Sequence, residues 1–534
     1  MKDRASALPL LALLGVITAG HLSLFPRVAD LDGFYHVGHA LAYWEGSPLD
    51  TALPWATQSI IGDLGGDLWW GFHVLLIPFA AVGGVVGGTR VAALGLTLTL
   101  GLSVWWLLRR HAVPWPALWA ALFLVAVPNI FFRHLMLRPH VLSLAASLAL
   151  LSTLIRGRWW QAAVLSASIS WLHLSLFWMG PAIAVAYAMA RVPVRAVLEP
   201  RGPDHGVPIR AAIPAALAGA LAGWLVRPGA PEAARLLNVQ LVELFRLKAT
   251  EAPVTFAAEL APIAVPDLFR TSWLFAVVWV VGLVLWATAA VRALRVDVPP
   301  PESAEPDGDA RGRERATIVL ASAMISVVFL ILALTSARRA MEQWVAFGFL
   351  LLPFLGATLS PRRWPGPVRI GGAAVLVLYL GWGAWRHTLN VEQVAFRADT
   401  LRGAAEYLKT NSEPNDIVFH LRWDNFGPLF AHNRSNRYLG GMDPIFLWAH
   451  DSASYWEFFY LSTEATTEWT CGAYPCGAGA LDTYDALKDR FAARWVVVEP
   501  FRNPRFSLYL LNDQRYELAY EGAHDAVFEI VEDP

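Results

Sequence analysis

The sequence predicts a mainly α-helical, polytopic membrane protein carrying a C-terminal soluble α/β domain, on three observations. Of 534 residues, 56% are hydrophobic and only 16% are charged, whereas a soluble domain carries roughly 25% charged residues. Apolar stretches of helical length recur as far as residue 386 and then stop. Beyond 396 the composition becomes that of a soluble domain, with short β-like runs separated by turn residues.

The apolar stretches lie at 6–25, 69–88, 91–108, 114–130, 141–155, 160–190, 211–226, 271–291, 317–334, 344–359 and 370–386. A crossing helix needs about 20 apolar residues. No Ala-x-Ala pattern follows the first stretch, which therefore reads as a retained helix rather than a cleaved signal. Loops rich in Lys and Arg stay on the cytoplasmic side. Lys2 and Arg4, Arg109 and Arg110, Arg156 and Arg158, and the segments 191–210, 292–315 and 362–369 are the inside candidates. All of them face one way if 69–88, opening on Trp69 and Trp70, lies re-entrant or at the interface, and if 160–190 is a helical hairpin around 177–181. The count is then about 11 crossings, with the N-terminus cytoplasmic and the C-terminal domain periplasmic or extracellular. The proline-rich, charged segment 292–316 reads as a cytoplasmic linker.

With that topology the loops 26–68, 131–140, 227–270 and 335–343 share the outer face with everything beyond 390, giving two expected domains, 1–390 and 391–534. In the second, a helix is expected over 400–410, strands over 416–420 and 494–498, and a hairpin over 516–530 turning near Gly522. Cys471 and Cys476 are its only cysteines, and in an oxidising compartment a bridge between them would contribute roughly 2 kcal/mol. Free thiols are the alternative.

The densest chemistry follows the first helix, in Asp30-Leu31-Asp32-Gly33-Phe34-Tyr35-His36-Val37-Gly38-His39. In a helix starting at Asp32, the positions of Asp32, His36 and His39 share one face. Asp32, with Asp30, is the candidate catalytic carboxylate; Asp32, His36 and His39 are candidate metal ligands. A capping role for Asp32 is the simpler structural alternative. Arg133, Arg138, Arg338 and Arg339 stand on the expected outer face against the charge rule, where binding an anion is one reason to keep them and snorkelling the other. Arg138, His140, Arg338, Arg339 and Glu342 are therefore candidate substrate-binding residues, with Glu342 expected to pair with Arg338 one turn away.

Order and motifs together resemble the GT-C superfamily of membrane glycosyltransferases, most of all the catalytic subunit of oligosaccharyltransferase. Asp32-Gly33-Phe34-Tyr35-His36 is similar to an Asp-Pro-Tyr-Tyr-His motif of its archaeal members. Arg422-Trp423-Asp424-Asn425-Phe426-Gly427 resembles the family's Trp-Trp-Asp-Tyr-Gly acceptor motif and adds Trp423 and Asp424 as substrate-binding candidates. Two departures stand out. The second outer loop, Arg133 to His140, has no carboxylate, and Arg422 replaces the motif's first tryptophan, so sequon recognition does not carry over.

The resemblance implies transfer of a sugar or oligosaccharide from a polyprenyl-phosphate-linked donor to a glycan, lipid or protein acceptor on the outer face. It also implies an integral protein of a bacterial inner membrane, with membrane lipids as partners and a divalent cation, Mg or Mn, as the candidate cofactor. Phosphate loops, dinucleotide turns and Cys-x-x-Cys pairs are absent from the sequence, which fits a donor drawn from the bilayer, and no nucleic-acid partner is expected. The competing class is a non-catalytic binding or transport protein for lipid-linked saccharides. An ion-coupled transporter would need carboxylates inside the helices, and the apolar stretches hold almost none.

Overall fold

The structure is a computed structural model that describes residues 4–197, 206–250, 257–295, 306–359, 366–463 and 482–531. It divides into two compact units. One holds residues 1–25, 93–226 and 258–395, and the other holds 26–92, 227–257 and 396–534. The expected boundary near 390 is thus close for the C-terminal segment alone. The outer loop 26–68 and two further stretches fold with that segment rather than with the helices.

The first unit is a helical bundle. Among the described residues of the whole chain, six helices are long and apolar enough to cross a membrane, or up to eight if each of two bent pairs is one span. The expected count is about 11 crossings; these six to eight are the described helices with the length and apolarity that a crossing needs. The stretch 114–130 is broken: Pro116–Leu124 and Pro128–His134 meet at 97°, because Pro128 cannot continue the preceding helix. Helix Ile209–Leu225 likewise turns by 109° into 230–249. The stretches 69–88 and 91–108 are two helices within Trp70–Arg110, separated at Gly84, whose φ of 61° is a conformation glycine tolerates. The chain doubles back there, bringing Gly88 against Phe79 and Ala80, so 69–88 stays a segment distinct from the helix that follows. The stretch 160–190 does break, with helices Trp159–Leu172 and Met179–Val197 on either side of a short 3₁₀ turn.

Two polar clusters bracket helix Pro139–Arg156. At its end Arg156 donates to Glu314 at 2.6 Å and Arg110 donates to the Arg156 carbonyl at 2.8 Å. At its start Arg138 binds Glu259. Eighteen helical residues span about 27 Å, close to the roughly 30 Å of a bilayer's hydrocarbon core. Between these rims, Leu217, Leu221, Val277, Val281, Val284, Val328 and Ile331 expose apolar side chains, which only lipid can solvate. Glu314 also corrects the linker. Residues from Pro306 belong to helix Pro306–Thr335, and only 296–305 of the expected linker lie outside the described residues.

The second unit is α/β. Its strands are β1 (Arg27–Val28), β2 (Ala56–Thr57), β3 (Phe396–Arg397), β4 (Ile417–His420), β5 (Arg437–Leu439), β6 (Trp495–Val498), β7 (Tyr516–Glu521) and β8 (Ala526–Ile530). β1 and β3 pair antiparallel; the other six form one sheet ordered β2-β5-β4-β6-β8-β7. β2, β5, β4 and β6 run parallel, and β8 and β7 close the edge as an antiparallel hairpin. All four residues of β6, Trp-Val-Val-Val, are buried, as expected of a parallel strand covered on both faces. The helix expected over 400–410 is Arg402–Asn411. Asp443 and Asp451 cap the next helices by accepting the N–H groups of Ile445 and of Ala453 and Ser454. Cys471 and Cys476 lie outside the described residues.

Candidate functional site

Helix Asp32–Glu45 opens with Asp32, half-buried, on its first turn. Asp30, only 7% exposed, accepts the Asp32 backbone N–H through Oδ1 at 2.9 Å. That contact satisfies one of the orphan donors of the helix start and fixes Asp32 at the head of a helix whose next eight residues are all buried. The two carboxylates are thus differently placed: Asp30 holds the turn, and Asp32 retains exposure.

His36 and His39 do face inward together, beside His73 and Asp67. His36 Nδ1 lies 2.8 Å from His73 Nε2, and His73 Nδ1 lies 2.7 Å from Asp67 Oδ2. The Tyr43 hydroxyl donates to the same Asp67 oxygen at 2.8 Å, while the Trp69 N–H donates to Oδ1 at 2.8 Å. His39 Nδ1 is 3.2 Å from the Tyr35 hydroxyl, its ring stacks on His73 with centroids 4.3 Å apart, and its Nε2 stands 3.9 Å from Asp67 Oδ2. Arg227 donates to the Asp67 carbonyl at 2.8 Å.

Burial alone would raise the Asp67 carboxyl, but the neighbouring His73 and His39 and the N–H of Trp69 hold it well below the usual carboxylate range. Burial pushes His39 down to about 3, with His73 acting the same way and Asp67 opposing. Tyr43 is raised, by burial and then by Asp67.

Of the expected metal set Asp32, His36 and His39, His39 alone belongs to the group that brings ligand atoms together. Among the described residues, the group that could hold an ion is His39, Asp67 and His73, with one ligand atom from each and all three atoms within 4.8 Å of one another. Two imidazoles and one carboxylate do not suit Mg or Mn, which prefer oxygen ligands. Asp67, His73 and Tyr43 were missed by sequence reasoning. The available signal was a buried-type acid and imidazole, Asp67 and His73, flanking Trp69-Trp70 at the edge of an apolar stretch.

The arginine candidates lie in the helical unit. Glu259 receives Arg133 at 2.8 Å and Arg138 at 2.9 and 3.0 Å, with Arg339 at 4.0 Å. Burial would raise the Glu259 carboxyl, but these three guanidinium groups hold it well below its ordinary range. Glu342 pairs with Arg133 and has His140 Nε2 at 3.4 Å, in place of the expected Arg338. Arg338 is exposed and Arg339 is 35% exposed. Three guanidinium groups against two carboxylates leave one net positive charge, which Arg339 presents outward. Arg133 and Arg138 are thereby charge-compensated by Glu259 and Glu342, and Glu259, on a loop without a motif, is the partner that the sequence did not mark.

In the α/β unit, Trp423 packs half-buried against the hydrophobic core, and Asp424 accepts Arg422 through two hydrogen bonds of 3.0 and 2.8 Å. Arg422, which departs from the resembled motif, so becomes the partner that orients Asp424.

No protein-family model matches the chain, and no curated protein matches it in sequence. Among solved structures, ArnT from Cupriavidus metallidurans bound to undecaprenyl phosphate is similar with a TM-score of 0.49 and 12% identity, over 99% of this chain and 98% of that one. The same protein in the apo state gives a TM-score of 0.45 and 14% identity, over 99% of each chain. The helices and their uncovered apolar faces define this chain as a mainly helical integral membrane protein with an α/β unit.

Proposed function

We propose that the chain is a GT-C-type membrane glycosyltransferase that moves a sugar from a polyprenyl-phosphate-linked donor to an acceptor on the outer face of a bacterial inner membrane. The observation that carries the reading is Asp32: a carboxylate held by Asp30 on the first turn of a buried helix, yet itself still half-exposed. In this reading Asp32 accepts the proton of the acceptor hydroxyl as that oxygen attacks the anomeric carbon, and the phosphate departs with the electron pair of the broken C–O bond. Arg338 and Arg339, in the helical unit, carry outward positive charge of the kind that binds a phosphate. Undecaprenyl phosphate, the lipid in one of the similar solved structures, is the carrier to test first. Any cation belongs to the buried His39–Asp67–His73 set, and the transfer itself is assigned to side chains alone.

The experiment incubates the full chain in detergent with undecaprenyl-phosphate sugars and outer-membrane lipid or glycan acceptors, and follows release of undecaprenyl phosphate by mass spectrometry. Asp32→Asn should lower turnover about 10²- to 10⁴-fold while the melting temperature and donor binding stay unchanged. Transfer unaffected by that substitution would favour the non-catalytic carrier-binding class instead.

A further inference from the structure

We propose that His39 Nε2, His73 Nδ1 and Asp67 Oδ2 form a closed binding site for a zinc-class transition-metal ion, separate from the carboxylates assigned to sugar transfer. Three observations carry it. The three residues are 1%, 0% and 2% exposed, so an ion there would be shielded from solvent exchange. His39 Nε2 is buried without a hydrogen-bond partner, which is costly for an imidazole nitrogen unless something else occupies its lone pair. Its nearest charged neighbour is the Asp67 oxygen at 3.9 Å, a separation that an ion ligated by both would bridge.

The surroundings supply what metal-bound histidines require. A ligating imidazole donates its other N–H to a fixed acceptor, which sets its tautomer. His39 has the Tyr35 hydroxyl at 3.2 Å from Nδ1, and His73 has His36 Nδ1 at 2.8 Å from Nε2. Asp67 is oriented by Tyr43 and by the Trp69 N–H. The donor set of two nitrogens and one carboxylate oxygen suits zinc, cobalt or nickel rather than magnesium.

One proton must leave. Without the ion, the 2.7 Å contact between His73 Nδ1 and Asp67 Oδ2 holds a hydrogen between them. The ion takes the place of that hydrogen. A His73 carrying hydrogens on both ring nitrogens releases the Nδ1 proton to solvent, keeps Nε2–H toward His36 Nδ1 and gives its Nδ1 lone pair to the metal. The site would fasten helix Asp32–Glu45 to the start of helix Trp70–Arg110 and so position Asp32 from behind.

The test uses the full chain purified in detergent without a histidine tag. Elemental analysis should find about one zinc-class ion per chain, and cobalt loaded into chelator-treated protein should give the visible absorption of nitrogen and oxygen ligation. The melting temperature should fall with a chelator and recover with zinc but not with magnesium. His39→Gln, which removes the nitrogen lacking a hydrogen bond, should abolish stoichiometric binding. Tyr43→Phe, an outer partner, should weaken it about 10- to 100-fold. The proposal is overturned if the wild-type chain takes up neither zinc nor cobalt at micromolar concentrations, or if His39→Gln binds them as well as the wild type. The cobalt readout on the wild-type chain keeps the test decisive even if a variant fails to fold.

Discussion

Glu259 binds Arg138 through both of its carboxylate oxygens, at 2.9 and 3.0 Å, while a second guanidinium, Arg133, reaches it at 2.8 Å. The loop before helix Val265–Arg295 is thereby joined to the start of helix Pro139–Arg156 inside the bundle. Glu259→Gln leaves three guanidinium groups, of Arg133, Arg138 and Arg339, with one carboxylate, Glu342. Removing one partner of a buried ionic cluster costs about 3 kcal/mol or more. The melting temperature in detergent should fall accordingly, and the double variant Glu259→Gln/Arg138→Met should recover part of the loss.

The same carboxylate makes the helical unit sensitive to acid. Its folded-state pKa is depressed by Arg138, Arg133 and Arg339 against the opposing effect of burial, so its contribution is fully present above the ordinary glutamate range and is lost as pH falls through the folded value. Lowering pH through and below about 4.5 should destabilise the wild type more steeply than Glu259→Gln. Thermal unfolding across that range is the measurement, and equal slopes for the two proteins would refute the assignment.

A different window applies to the α/β unit. His420 ends β4, fully buried, with its Nδ1 donating to the Arg422 carbonyl at 2.8 Å, and burial lowers its pKa from 6.5 to about 4. The unfolded chain therefore takes up a proton that the folded chain refuses between those values, so stability falls as pH drops from 6.5 toward 4. The slope for one such group is at most about 1.4 kcal/mol per pH unit. The protection factors of the β4 amides, which take out the intrinsic slowing of exchange in acid, should fall over that interval in the wild type and less so in His420→Gln.

Much of the architecture was legible because it depends on local pattern. The strands at 417–420 and 495–498 and the hairpin at 516–530 show the expected runs and turn near the expected place. The positions of the apolar helices were also readable, since apolar length is a local property. The breaks at single residues were not: Pro128 bends one stretch and Gly84 turns the chain back between two, and both effects depend on which conformation a single residue adopts. The candidate site divides the same way. His36 and His39 were found because they share a helix face with a nearby acid. Asp67 and Glu259 were not, because each acquires its partners only when segments distant in the chain pack together: Tyr43 and His39 on another helix for the first, Arg133 and Arg138 for the second.

Gly38 tests how the helix carrying Asp32 is seated. An added Cβ there would lie 3.0 Å from the Ala431 Cα and 3.0 Å from the Phe430 ring, on helix Phe426–His432 of the same unit. Backbone cannot yield as a flexible side chain can, so Gly38→Val should push the two helices apart at a cost of about 1–3 kcal/mol. Because the helix also bears Asp32, the variant should lose the proposed sugar transfer together with stability. A variant that keeps its melting temperature would show that the helices do not pack this closely.

Gly219 and Gly223 make the corresponding contact in the bundle, four residues apart on one face of helix Ile209–Leu225. A Cβ on either would stand 2.1 Å from a backbone carbonyl of helix Trp159–Leu172, Ala163 for the first and Ala167 for the second. Such small-residue pairs let membrane helices approach backbone to backbone where lipid provides no hydrophobic drive for association. The neighbouring Ser166 hydroxyl, buried, donates to the Ala216 carbonyl at 2.7 Å and fixes the register of the same pair. Gly223→Val should therefore separate these helices more severely than Ser166→Ala, which loses one hydrogen bond worth about 1 kcal/mol. Thermal unfolding in detergent should show the valine variant as the less stable of the two, and crosslinking between cysteines introduced on the two helices away from Gly219 and Gly223 should drop only in that variant.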